Sequence, residues 1–352
     1  MSDRPLGVGF IGAGAVTQAI HLPTLARLTD QFQVRQVFDV ATEVAASVAT
    51  RVGSRSTTSL QELLADEAVD VVAVCSPHHL HAAQVIAACR AGKRAVLCEK
   101  PFAMSAEEAA EVTAVASATG TAILVGAMHT FDPAWQAAVA AWADLPATSF
   151  AIRSSIVLPP NARFEDFSTE VINRAGGTAP AATDIEAQAA RVHGGVMGLA
   201  IHDLPLVRAL LPTFEDLEVL SARFLSPFGY HLVLGVGGKR VELHGVLTDT
   251  WQPAWTFEAI ADDQRLTADF TPSYVHAGSA VTSLHRSGQT ITFGPYGSNG
   301  YEAEWRVLAE IARGERPAPA TDPLIEDLRF AIELADAAAD RVRRSEPIGV
   351  SA

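Results

Sequence analysis

Four groups of residues in this chain combine types and spacing that support chemistry. The stretch IGAGAVT carries Gly12 and Gly14, the pattern of a tight turn whose backbone can approach a phosphate. Downstream, QFQVRQVFDV ends on Asp39, an acid placed to hydrogen-bond a ribose hydroxyl. Lys100, in LCEKPF, follows an apolar run; a lysine there can hydrogen-bond or protonate a substrate oxygen. His202, in LAIHDL, is the residue type that most often moves protons near neutral pH.

These groups need elements to hold them. G-x-G-x-x-G is matched literally by Gly7, Gly9 and Gly12, but the strand required before it would be MSDRPL, with Asp3, Arg4 and Pro5. A frame starting at Gly12 has LGVGFI as its strand and AVTQAIHLPTLARL as its helix. In that frame Gly12 makes the turn, Gly14 admits a pyrophosphate, and Ala15 and Val16 lead into the helix. Thr17 stands where a third glycine would ease helix–strand packing. Asp39 then selects NAD over NADP, since Val40-Ala41-Thr42 supplies no arginine for a 2′-phosphate.

Strands and helices alternate as far as TAILVGA, which predicts a doubly wound parallel α/β sheet in residues 1–128. Ser76-Pro77 and Glu99-Lys100-Pro101 fall at its C-terminal strand ends, where ligands bind. From 129 to 352 strands dominate: TSFAIRSSIVL, DLEVLSARFLS, YHLVLGVG, KRVELHGVL, WTFEAIA, QRLTADF and QTITFG. Runs of this kind predict an α+β domain with a large, mainly antiparallel open sheet. Asn173–Gly195, rich in small residues, reads as a substrate-side loop, followed by one helix through GVMGLAIHDLPLVRALL.

GFIGAGAVTQAIHLPTL, SPHHLHAAQVIAACRAGKRAVLCEKPFAMSAEEA and GGVMGLAIHDLPLVRALL together resemble the Gfo/Idh/MocA oxidoreductases. The resemblance implies an NAD(P)-dependent enzyme acting on a sugar, sugar derivative or cyclitol. It places Lys100 beside the nicotinamide and the substrate hydroxyl, before a cis Lys–Pro bond. Ser76, Pro77, His81 and Glu99 then border the cofactor, and His202 is the general acid/base. Members commonly carry an Asp four residues before that histidine; here the position is Gly198. Asp203 lies about 100° away on a helix and does not replace it. His129, Asp184, His193 and Asp203 are candidates to touch a polyol. The open sheet implies a homodimer or homotetramer. Gly198 keeps a non-catalytic, NAD(P)-binding regulator as the rival reading, and a glycoside-cleaving enzyme with tightly held NAD as another.

Composition sets outer bounds. The 352 residues have a formal net charge of −14, which repels nucleic acid and anionic membranes. No long apolar run or leader-like N-terminus is present, and Cys75, Cys89 and Cys98 lack metal-site spacing. The expectation is a cytoplasmic protein without a metal, working on small molecules.

Overall fold

The computed structural model describes residues 4–173 and 181–344. Its first sheet contains β1 (Leu6–Ile11), β2 (Phe32–Phe38), β3 (Arg55–Thr57), β4 (Val71–Val74), β5 (Ala95–Cys98) and β6 (Ala122–Val125). All five pairings are parallel, in the order β3-β2-β1-β4-β5-β6. β1, β4 and β5 are buried along their whole length, as helices on both faces demand. Gly7 and Gly9 lie inside β1. A Cβ at Gly7 would sit 1.7 Å from the Ala68 carbonyl oxygen, and one at Gly9 would meet Val69 at 2.8 Å. The literal glycine motif is therefore a packing feature of a strand. The short edge strand β3 has no clear signal in the sequence.

Helix boundaries here follow cap chemistry. Ser105 accepts a hydrogen bond from the Glu108 amide to open the Ala106–Thr119 helix, and Gly120, with φ +72°, closes it.

The second sheet holds β7 (Ala151–Leu158), β8 (Glu218–Phe224), β9 (Phe228–Val236), β10 (Lys239–Leu247), β11 (Ala254–Ile260), β12 (Gln264–Asp269), β13 (Val281–Arg286) and β14 (Gln289–Phe293). The order is β14-β13-β12-β11-β7-β10-β9-β8, antiparallel except for β7 with β10. The helices Ile185–Gly198 and Asp322–Arg343 pack together and against the β8 end of the sheet. On β9 and β10 buried and part-exposed residues alternate, so one face remains uncovered.

Four features depart from the expected layout. β13 adds a strand that the polar alternation in VTSLHR concealed. The expected 173–195 loop is helical from Ile185, while residues 174–180 lie outside the described residues. The single helix expected through His202 is three pieces: it stops at Gly198, makes a tight turn over Ala200–His202, and restarts at Leu204 with Pro205 in its first turn, where a missing amide costs nothing. Lastly, the Gly300–Ala312 helix, late in the chain, packs on β5 and β6 of the first sheet. Trp305, Leu308 and Ala309 on it are buried with Phe10 and Phe32 in that sheet's core. Among the described residues no helix is long and apolar enough to cross a membrane.

Candidate active site

Strand order reverses between β1 and β4, which opens a crevice at their C-terminal ends. Gly12 leaves β1 with φ +94°, and its amide donates to the Phe38 carbonyl at 2.9 Å. A Cβ there would lie 2.8 Å from the Cys75 oxygen, so both its φ and its neighbours require glycine. Gly14 is exposed, with nothing within 4 Å of where a side chain would start. Ala15 and Val16 follow, half-buried, at the start of the helix. Thr17 is fully buried, and its hydroxyl donates to the Gly12 carbonyl at 2.7 Å. The helix widens there: the Leu22 amide reaches back five residues to Thr17. Asp39 closes the turn from below. Its Oδ2 accepts from the Ala13 amide and its Oδ1 from the Ala41 amide, both at 2.9 Å.

The β5 end supplies the next group. Glu99 Oε1 accepts from His21 Nε2 at 3.0 Å, and its Oε2 from the Lys100 amide at 3.3 Å. Gly126, at the β6 end, keeps room for this carboxylate, 3.2 Å from where its Cβ would be. The Lys100–Pro101 bond is cis. His81 is buried, with Nδ1 2.7 Å from the Pro101 carbonyl and Nε2 2.8 Å from that of Ser76, so its ring joins the two loops. Ser76 donates to Gln84 at 2.5 Å, and Pro77 is exposed beside it.

Lys100 then crosses to the second half. Its Nζ donates to the Gly198 carbonyl at 3.0 Å, an orphan acceptor at the last turn of the Ile185–Gly198 helix. His202 lies four residues on. Its Nδ1 is 3.2 Å from Met128 Sδ, which leaves Nε2 for a ligand. Lys100, Gly198 and His202 share a cavity of about 150 Å³ with Val16, Glu99, Asn161, Trp255 and Tyr301. A larger cavity of about 370 Å³ lies between Phe102, Phe131, Leu204 and Pro317–Pro319; Lys100 also borders it, but neither His202 nor the glycine turn does.

Burial dominates the ionisation of this cavity. It pulls the Lys100 ammonium below its ordinary pKa, with Glu99 opposing. It also pushes His202 well below the usual imidazole value, helped by Lys100 and His129. Burial works against the Glu99 carboxylate, but the hydrogen bond and charge of His21, with Lys100 and His81, hold its pKa below normal.

The remaining candidates separate from this cavity. His129 and Asp203 form a buried pair behind it: His129 Nδ1 is 2.7 Å from Asp203 Oδ1, and the ring stacks on Phe270. Asp203 Oδ2 accepts from Ser154 and from the Trp255 indole, at 2.6 and 2.9 Å. Asp203 is a scaffold for Trp255, which lines the cavity. Asp184 is an exposed N-cap, accepting from the Ala187 amide, at the far end of its helix from Gly198. His193 faces Asp336 at 3.4 Å on the Asp322–Arg343 helix. Sequence reasoning missed His21, Trp305, Asn161 and Tyr301. His21 reads as one residue of the helix after the glycine turn, Trp305 lies in a segment where no element is expected, and only their burial as polar groups marks them.

Residues 6–127 match the family described as "Oxidoreductase family, NAD-binding Rossmann fold", Gfo/Idh/MocA. Inositol 2-dehydrogenase 3 of Saccharopolyspora erythraea is 37% identical over 130 residues, 37% of this chain and 38% of that protein. The match thus spans little more than a third of that relative. Two solved structures share the fold over nearly the whole chain. One is UDP-N-acetylglucosamine 3-dehydrogenase GnnA of Acidithiobacillus ferrooxidans (TM-score 0.71, 20% identity, 96% of this chain and 99% of that one). The other is a 3-ketoreductase from Actinomadura kijaniata in complex with NADP and TDP-benzene (TM-score 0.70, 20% identity, 93% and 96%). Over residues 6–127 the chain is similar to the NAD-binding domain of the Gfo/Idh/MocA oxidoreductases, and across the remainder the likeness to solved structures is one of fold.

Proposed function

We propose that the protein is an NAD(H)-dependent oxidoreductase that interconverts a secondary alcohol and a ketone on a sugar, sugar derivative or cyclitol. The observation that carries this reading is the convergence of Lys100 and His202 on one cavity that also reaches Val16 of the glycine turn. The residues fit a dinucleotide: open space above Gly14 at a helix start, and a carboxylate at Asp39 held by the turn's own amides. When bound, the nicotinamide supplies the hydride acceptor or donor.

The chain's side chains do the rest. In oxidation, neutral His202 takes the hydroxyl proton at Nε2, and its depressed basicity keeps it ready near neutral pH. Lys100 donates a hydrogen bond to the same oxygen and stabilises developing alkoxide charge. In reduction the two roles run backwards. Asp39 favours NAD over NADP by like-charge repulsion of a 2′-phosphate. The uncovered face of the eight-stranded sheet supports a homodimer or homotetramer.

Turnover with a panel of inositols and sugars, followed by NADH absorbance, tests the reading. NAD binding without turnover on any of them would favour the regulatory alternative, for which Gly198 is the motivating feature.

A further inference from the structure

Behind Lys100 runs a chain of buried polar contacts that the proposed chemistry does not use. The Trp305 indole N–H donates to His21 Nδ1 at 3.1 Å, and His21 Nε2 meets Glu99 Oε1 at 3.0 Å. Trp305 and His21 are both 0% exposed. An indole is a donor only, so Nδ1 must be the acceptor, and the proton on His21 lies at Nε2, facing the carboxylate. Burial disfavours a second ring proton while Cys75 and Glu99 favour one, with a net upward direction; the indole N–H occupies the position it would need.

We propose that His21 is a positioning residue for Lys100: fixed by Trp305, its Nε2–H clamps the Glu99 carboxylate next to that lysine. The inference rests on the oxidoreductase reading for its catalytic consequence but not for its geometry. Two bonds hold Glu99, one from His21 and one from the Lys100 amide, so loss of the first frees the carboxylate to rotate and reprotonate. Lys100 would then lose the nearby negative charge that opposes the effect of its burial.

Among the described residues no other carboxylate takes that place. Glu304, one turn along from Gly300, is 0% exposed and neither of its carboxyl oxygens has a partner among the described residues. Burial pushes its pKa well up, which disfavours a negative charge on it beside His21 and Glu99. Tyr301 on the same helix is likewise held neutral by burial. The other titratable neighbours are imidazoles or a thiol. His276 and Cys75 flank His21, His78 and His81 lie on the Glu99 side, and His202 with His129 lies across the cavity. None supplies a fixed negative charge to Lys100.

The test compares wild type with His21→Leu, His21→Gln and Trp305→Phe. Leucine keeps the volume without the donor, glutamine returns an N–H near the Nε2 position, and phenylalanine removes only the indole N–H. The primary readout is the pH midpoint of Lys100 acylation by a small anhydride, followed by mass spectrometry, which needs no substrate. In His21→Leu the midpoint should fall by about one unit, consistent with loss of a nearby counterion. His21→Gln should restore most of it, and Trp305→Phe should shift it part of the way. With turnover, kcat in His21→Leu should fall about tenfold while the NAD dissociation constant stays within about threefold. An unmoved midpoint in a folded His21→Leu overturns the inference, as does equal impairment by leucine and glutamine. If leucine does not fold, an unmoved midpoint in Trp305→Phe overturns it. Failure of wild type to turn over any polyol would instead refute the oxidoreductase reading, because the labelling result stands apart from it.

Discussion

Lys100 Nζ and the Gly198 carbonyl oxygen are 3.0 Å apart, joining the C-terminal end of β5 to the last turn of a helix from the other sheet. The lysine spans the candidate cavity between the two halves of the molecule. A helix C-terminus, with its partial negative charge, here does part of what a carboxylate side chain could do.

Replacing Lys100 with methionine keeps the length and removes both donor and charge. We expect kcat to fall by about 100-fold or more with little change in NAD affinity, since the interaction is strongest as charge develops on the substrate oxygen. Steady-state kinetics with calorimetric NAD binding provides the check. Near-normal kcat removes Lys100 from the chemistry.

Gly198→Asp should move the acidic limb of the pH–rate profile. A carboxylate near His202 favours the imidazolium, so the ring gains its proton at higher pH and activity for oxidation is lost sooner on acidification. Nothing lies within 4 Å of the position a Cβ would take, so the backbone admits the change. His202→Ala should abolish the limb. Full activity of that alanine variant with an unchanged profile makes the histidine structural.

On the proposed reading, Asp39 governs the choice of cofactor. Wild type should bind NAD at least about tenfold more tightly than NADP, or roughly 1.4 kcal/mol, and Asp39→Ala should narrow the gap. Calorimetry decides; equal binding of the two by wild type would sink the assignment.

Asp203→Ala tests the scaffold. It would leave the Ser154 hydroxyl, the Trp255 indole and His129 without their shared acceptor in a site where Asp203 is 0% exposed. Denaturant unfolding should show a loss of about 3 kcal/mol or more. A loss below about 1 kcal/mol would mean that those groups find other partners.

The parts of this protein legible in its sequence are those governed by local rules. The glycine frame, Ser105 and Gly120 as helix ends, and the Gly237-Gly238 hairpin, with φ +58° and +73°, each follow from the residues beside them. The break after Gly198 was hidden, because a helical period runs unbroken through GVMGLAIHDL although tertiary contacts end the helix. Asp203 sits beside His202 in the chain, but its three buried donors, His129, Ser154 and Trp255, come from distant segments that only the fold brings together. His21 could not be singled out, since its partners Glu99 and Trp305 lie far away in the chain and meet it only in the fold.

Gly300 opens the helix that carries Trp305, and a Cβ there would lie 1.9 Å from the Met128 carbonyl oxygen. A fragment ending near residue 128 would retain every strand of the parallel sheet, yet it would uncover Phe10 and Phe32 where the indole had been, and His21 would lose the donor on its inner nitrogen. The half built on the parallel sheet is therefore completed only by residues beyond Gly300, and both halves should unfold in a single cooperative transition.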